Sequence, residues 1–321
     1  MLKKDEKNMS SRQGVDNCTF ELLFIPTKKV IVDEVQLISP SGVNYGFIGN
    51  RGTKCVVSVC MPRYVRSNNA RPFSRSDIPF INEICKDLDV QLKKKFGNNF
   101  YTKLCSIEIN ITEKLIGQCS CENIIRLFSN ALLHEADQNL NYVIQSKEYK
   151  YKPCINGLVS RTINNQWKLK CYDKMNQLGI EMDDRYLRVE FVLMSRKINS
   201  IFHDKRDIKS VITGKGIELL IENFLTLYRI LMDDYVKRYL SCVQQILLDE
   251  LRSNNSPMET YCKYKEVIVD KEQMRRAIKL WYKERGMTDY SRQRIRELDE
   301  KYNLPCDTLI TLQSFKYACI W

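Results

Sequence analysis

The stretch Leu104-Cys105-Ser106-Ile107-Glu108-Ile109-Asn110-Ile111-Thr112 alternates apolar and polar residues along its whole length. Successive side chains of an extended chain point to opposite sides, so Cys105, Ile107, Ile109 and Ile111 fall on one face. Ser106, Glu108 and Asn110 fall on the other. Two later stretches repeat the pattern. Between Gln166 and Lys174, Trp167, Leu169 and Cys171 oppose Lys168, Lys170 and Tyr172. Between Tyr186 and Met194, Leu187, Val189, Phe191 and Leu193 oppose Arg188 and Glu190. Strands with one apolar face each predict a sheet with one buried side. If the three share that sheet, Glu108, Tyr172 and Glu190 emerge together on its polar side.

Working outward, the N-terminal third is rich in strand signals: Phe20 to Ile25, Val30 to Ile38, Val43 to Ile48 and Lys54 to Cys60, with Ser39-Pro40-Ser41-Gly42 as a turn. Helical spacing predicts helices over Pro79 to Phe96 and Cys121 to Leu133, the second capped by Ser120. Further strands are expected over Asn141 to Gln145 and Tyr149 to Ile155. Beyond Arg196 the pattern changes. Asp204 to Gly214 reads as a polar hinge, and Gly216 to Leu251 as one long helix with a break near Asp233-Asp234. Lys271 to Arg285 and Ser291 to Tyr302 follow as shorter helices around Gly286. The fold class expected is α+β, an antiparallel sheet with helices packed on one face, followed by a mainly helical C-terminal region. We divide the chain into a disordered tail (1–14), an α+β catalytic domain (15–203) and a basic helical region (204–321).

The chain has 321 residues, 44% hydrophobic and 28% charged, enough for a full core. No apolar run is long enough to span a bilayer, and the first residues lack the apolar core of a secretory signal. The 13 cysteines are scattered with no Cys-x-x-Cys pair. They read as reduced, mostly buried thiols of a cytoplasmic protein. The formal net charge of +12 favours polyanionic partners. From Val35 to Ser76 there is no acidic residue, while Arg51, Lys54, Arg63, Arg66, Arg71 and Arg75 alternate with aromatics, a composition suited to a nucleic-acid groove. Lys168 and Lys170 extend the cationic set. Arg275, Arg276, Arg292 and Arg294 supply a second one, on helices that suit either a helix-turn-helix reader or a solvated basic face.

Glutamate is uncommon in strands, so Glu108 and Glu190 at mid-strand ask for a reason. Two explanations compete. One is cross-strand pairing with Arg188 or Lys168, worth under about 1 kcal/mol when exposed. The other is a hard divalent cation, Mg2+ or Mn2+, which takes oxygen ligands and polarises phosphate oxygens. Asp173 is a weaker third ligand, since parity turns it toward the core. Tyr172 sits among Lys168, Lys170 and Lys174, cations that favour the phenolate needed for attack on phosphorus. No phosphate-binding loop or dinucleotide fingerprint occurs, and His134 and His203 have no catalytic company.

Leu158-Val159-Ser160-Arg161, Trp167-Lys168-Leu169-Lys170-Cys171-Tyr172-Asp173-Lys174 and Leu187-Arg188-Val189-Glu190-Phe191 together resemble replication initiation proteins of rolling-circle plasmids and related phages. In that family a strand ends in Tyr-Asp-Lys or Tyr-Glu-Lys and the next bears Arg-x-Glu, while an earlier strand carries an acidic residue, as in Ile107-Glu108-Ile109-Asn110. The resemblance implies an endonuclease that nicks one strand at an origin, keeps the 5′ phosphate on tyrosine and later rejoins the ends. It implies Tyr172 as nucleophile, Glu108 and Glu190 as ligands of Mg2+ or Mn2+, and Arg188 or Lys174 at the scissile phosphate. The His-hydrophobic-His pair of the wider class is absent, so the resemblance implies either the carboxylate-liganded branch or an inactive chain. Implied partners are origin DNA, as a single-stranded or cruciform nick site, then a host helicase and a second copy of the chain, with no membrane. The rivals are a non-catalytic DNA-binding replication or partition protein and a structural or interaction protein.

Overall fold

The computed structural model describes residues 13–25, 31–137, 158–159, 166–179, 185–265, 267–302 and 304–312. Among these residues eight strands form one sheet: β1 (Gln13–Phe24), β2 (Val35–Ile38), β3 (Asn44–Arg51), β4 (Lys54–Cys60), β5 (Phe100–Lys114), β6 (Leu158–Val159), β7 (Trp167–Asp173) and β8 (Tyr186–Leu193). Their order is β2-β3-β4-β1-β5-β8-β7-β6, and every neighbouring pair is antiparallel. The three alternating stretches are therefore the neighbours β5, β8 and β7. The anticipated turn after β2 closes with Gly42 at φ +81°, its N–H donating to Ser39 O at 2.8 Å. The strand read as Val30 to Ile38 is shorter than expected, and the one begun at Phe20 is longer. β1 starts two residues inside the stretch taken as tail. The strands expected over Asn141 to Gln145 and Tyr149 to Ile155 lie outside the described residues.

Among the described residues, eleven helices are α1 (Met61–Arg66), α2 (Ile81–Phe96), α3 (Cys121–Asp137), α4 (Lys174–Gln177), α5 (Ser195–Phe202), α6 (Ile208–Val211), α7 (Gly214–Arg229), α8 (Lys237–Asn254), α9 (Pro257–Tyr264), α10 (Lys271–Glu284) and α11 (Thr288–Lys301). A 3-10 turn, Arg75–Phe80, carries Pro79 into α2 and is fixed by a capping box between Ser74 and Asp77. The break anticipated near Asp233-Asp234 is a π-helical segment, Ile230–Val236, that joins α7 to α8 without interrupting the helix. The segment read as a hinge, Asp204 to Gly214, lies against the sheet. Leu104 N–H donates to Arg206 O at 2.7 Å and Ile208 N–H to Thr102 Oγ1 at 3.0 Å, stitching the segment to β5. No helix among the described residues is long and apolar enough to cross a membrane.

Ile107, Ile109 and Ile111 of β5 and Leu187, Val189, Phe191 and Leu193 of β8 are wholly buried. They face α7, where Phe224 meets Phe191 edge-on with ring centroids 5.4 Å apart. A single apolar cluster runs from this sheet face through α7 and α8 to Trp281 of α10 and Leu298 of α11. Helices thus cover one face, as the alternation requires.

Two irregularities in the ladder between β1 and β5 break that alternation. Val15 pairs with Ile109 and Asn17 with Glu108, leaving Asp16 as an extra residue on β1. Thr19 pairs with Ser106 and Phe20 with Leu104, leaving Cys105 extra on β5. A β-bulge re-aims the side chains around it. Leu104 and Ile107 are both core residues, so Cys105 does not take the core position that strict parity gives it. It is only half-buried, with its thiol 3.8 Å from Glu21 Oε2. Cys171, in regular β7, is fully buried as expected.

Candidate active site

On the face opposite α7, the polar side chains of β1, β5, β8 and β7 converge. Glu190 lies beside Asn110 on one flank and Lys170 on the other, while Tyr172 lies beside Arg188. The bulge adds Asp16. One carboxylate oxygen from each of Asp16, Glu108 and Glu190 lies within 4.8 Å of the other two. Glu108 and Glu190, on neighbouring strands, share the ammonium of Lys170, which is 2.7 Å from Glu108 Oε1 and 2.7 Å from Glu190 Oε1. The Tyr172 hydroxyl donates to Glu190 Oε2 at 3.1 Å.

This polar face is not open water. Arg188 is 0% exposed and Glu190 1%. The Asn69–Ala70 stretch after α1 lies over it, tied down because Phe73 pairs with Val15 beyond the end of β4. Arg188 donates from Nη1 to Asp16 Oδ2 at 2.9 Å, from Nε to Thr112 Oγ1 at 2.8 Å, and from Nη2 to the Asn69 and Ala70 carbonyls at 2.7 and 2.8 Å. A buried guanidinium so fully occupied places Asp16 and its cover, and has little left to offer a phosphate.

Burial shapes the titration of the cluster. Desolvation, then the charge of Glu190, pushes the Glu108 carboxyl up to about 7 despite Lys170. Burial would lower the Lys170 ammonium, but Glu190 and Glu108 outweigh it and hold the group above its ordinary range. Burial, with Glu190 as the next cause, also raises Tyr172 above its ordinary value. Lys174 moves the other way. Burial and then Arg188 lower it to about 8. Its ammonium donates to Asn69 Oδ1 at 3.2 Å and Gln177 Oε1 at 2.7 Å, and lies 5.8 Å from the Tyr172 ring centroid.

Three hard oxygen donors of this spacing fit a small divalent cation. A second feature agrees with that chemistry. Asn110, 0% exposed on the same face and paired with Glu190, has neither its amide oxygen nor its amide nitrogen hydrogen-bonded. A buried polar group without a partner is costly, and a bound ligand or ordered water relieves it. Asp173 is not among the three carboxylates. Its Oδ1 accepts from Met175 N–H at 3.0 Å and its Oδ2 lies 3.6 Å from Cys121 Sγ, so it caps the start of α4 from the other side of β7. Asp16 was missed, and its signal is visible in Val15-Asp16-Asn17-Cys18. Two polar residues between core residues three apart are what a bulge leaves in a strand.

A cleft of about 250 Å³ leads to the carboxylates and is lined by Asp16, Glu108, Asn69, Phe47 and Arg63. Arg63, Arg51 and Arg75 are exposed, and Arg71 and Lys168 half-buried. Lys54 pairs with Glu21 at 2.9 Å, and Arg66 with Asp77 at 2.6 Å. On the helical side, Arg275 bridges Glu272 and Asp299, and Arg294 pairs with Glu297, while Arg276 and Arg292 are exposed. The two arginine-rich helices pack on each other and, through α10, on α8. The eleven cysteines among the described residues form no disulfide.

No family model matches the chain, and no curated protein matches it. A solved rolling-circle replication initiator protein from Geobacillus stearothermophilus is similar over 68% of this chain and 84% of its own, with a TM-score of 0.32 and 11% identity. A likeness that distant transfers neither residues nor activity.

Proposed function

We propose that this protein nicks and rejoins one strand of DNA as a rolling-circle replication initiator, with Tyr172 as nucleophile and Asp16, Glu108 and Glu190 holding Mg2+ or Mn2+. The convergence of a phenol and three carboxylates on one face of the sheet carries this reading. A bound divalent cation would supply Lewis-acid polarisation of the phosphate and would offset the acidity that burial costs these carboxylates. Tyr172 already donates to Glu190, so Glu190 is placed to take the phenol proton. The phenolate oxygen forms a bond to phosphorus as the bond to the 3′ oxygen breaks, and that oxygen leaves with a proton as a free 3′ hydroxyl. The 5′ phosphate stays on Tyr172, which retains the energy for rejoining. Lys174, partly neutral near pH 8, lies 5.8 Å from the centroid of the same ring. Phe47 and Arg63 at the cleft suit a base and a backbone phosphate.

Tyr172 is 6% exposed, so the substrate strand must displace side chains that bury it. Supercoiled origin plasmid with Mn2+ tests the reading. Relaxed circles with protein attached covalently to DNA are expected, and Tyr172→Phe removes both. Retarded DNA without nicking by the wild type would instead identify a non-catalytic binder. Nicking that survives Tyr172→Phe would remove Tyr172 from its role.

A further inference from the structure

The three carboxylates do not wait bare. Lys170 stands directly across the ladder from Glu190, and its ammonium bridges Glu190 and Glu108 at 2.7 Å each. With Arg188 on Asp16 and Lys174 behind Asn69, three cations face three carboxylates, Lys170 and Glu108 half-buried and the other four buried. Pairing of opposite charges is what makes their removal from water tolerable. Of the three cations only Lys170 is loosely held. Arg188 makes four hydrogen bonds and is wholly buried, and Lys174 is also 0% exposed, whereas the Lys170 side chain is 29% exposed. A flexible four-carbon stem lets its ammonium swing toward solvent without disturbing the strand. The unpartnered Asn110 amide beside Glu190 shows that the lysine, while neutralising the charge, leaves a ligand's worth of polar contact unmet.

Resting on the metal reading above, we propose that Lys170 is the resident cation of this site, and that a divalent metal enters by displacing its ammonium into solvent. The lysine keeps the carboxylates folded and paired when no metal is present, and it sets the threshold a metal must exceed. Exchange of a singly for a doubly charged cation adds one positive charge to the site, equal in size to the single negative charge of a phosphodiester.

Two measurements on the full chain test this. Mn2+ affinity, read by electron paramagnetic resonance of free Mn2+, should rise about tenfold or more in Lys170→Met, since two carboxylates lose their competing cation. In the unmodified protein, acylation of Lys170 by an amine-selective reagent, followed by peptide mass spectrometry, should accelerate on saturation with Mn2+, while Lys54 keeps its rate. Wild-type protein that binds Mn2+ with no change at Lys170, and a variant that binds no tighter, would overturn the displacement and leave the metal site standing. No Mn2+ binding by either protein would overturn both.

Discussion

Glu108 concentrates the electrostatics of the molecule in one side chain. Its carboxyl is raised to about 7, against an ordinary value of 4.5, so the folded chain holds a proton there that the unfolded chain has released. Between those pH values the folded state binds more protons, and stability falls as pH rises through the window. The contribution is fully present below about pH 4.5 and lost above about pH 7. Glu108→Gln removes the titration, so its stability relative to wild type should increase steadily from pH 5 to pH 8 in urea denaturation. A pH-independent difference would show that Glu108 ionises normally. Asp16 is the complementary case. Asp16→Ala strands a wholly buried guanidinium, and a loss of about 3–5 kcal/mol is expected from the same measurement. Residue types alone flagged Glu108, Glu190 and Tyr172, because glutamates and a tyrosine on polar strand faces are unusual. They gave no hint that the polar face is covered. Nothing in the sequence near Arg188 announces that Asn69 and Ala70, over a hundred residues earlier, will accept its hydrogen bonds.

At the scale of elements, the sheet owes its site to one bulge and one close approach. Asp16 reaches the carboxylate cluster because β1 gains a residue there. The cover is held because Phe73 continues the ladder beside Val15. Gly14 makes this possible: a Cβ on it would sit 2.0 Å from Phe73 O. Gly14→Ala should therefore push the cover away and destabilise the fold by about 2 kcal/mol or more. Hydrogen exchange would show the Phe73 amide losing protection first. Unchanged protection at Phe73 would separate Gly14 from the cover. Strict period-2 reading predicts β5, β7 and β8 well but fails at Asp16 and Cys105, the two bulged positions. The long helix was legible from its apolar spacing. Its middle was not, since the π-helical turn at Ile230–Val236 keeps the helix running through Asp233-Asp234, where polarity suggests a stop.

Across the whole molecule, the C-terminal helices share one apolar core with the sheet. Whether the division proposed near residue 204 separates two folding units is decided by how the chain unfolds. Thermal unfolding of the whole chain should show one cooperative transition followed alike by far-UV and tryptophan signals. Phe224→Ala, which opens a cavity against Phe191, should lower stability by about 3–5 kcal/mol while keeping that single transition. Two separated transitions would mean that the helical region folds alone. The net charge of +12 is spread over both parts, and many of its cations are already engaged in ion pairs. Charge on this scale favours polyanionic partners, while the proposed chemistry rests on a handful of groups at the carboxylate cluster. The most direct measurement is therefore at those groups: anomalous diffraction from crystals grown with Mn2+. The account predicts one strong peak bonded to carboxylate oxygens of Asp16, Glu108 and Glu190, with the Lys170 ammonium turned away. A metal bound elsewhere, or none with Lys170 still bridging the two glutamates, would contradict it.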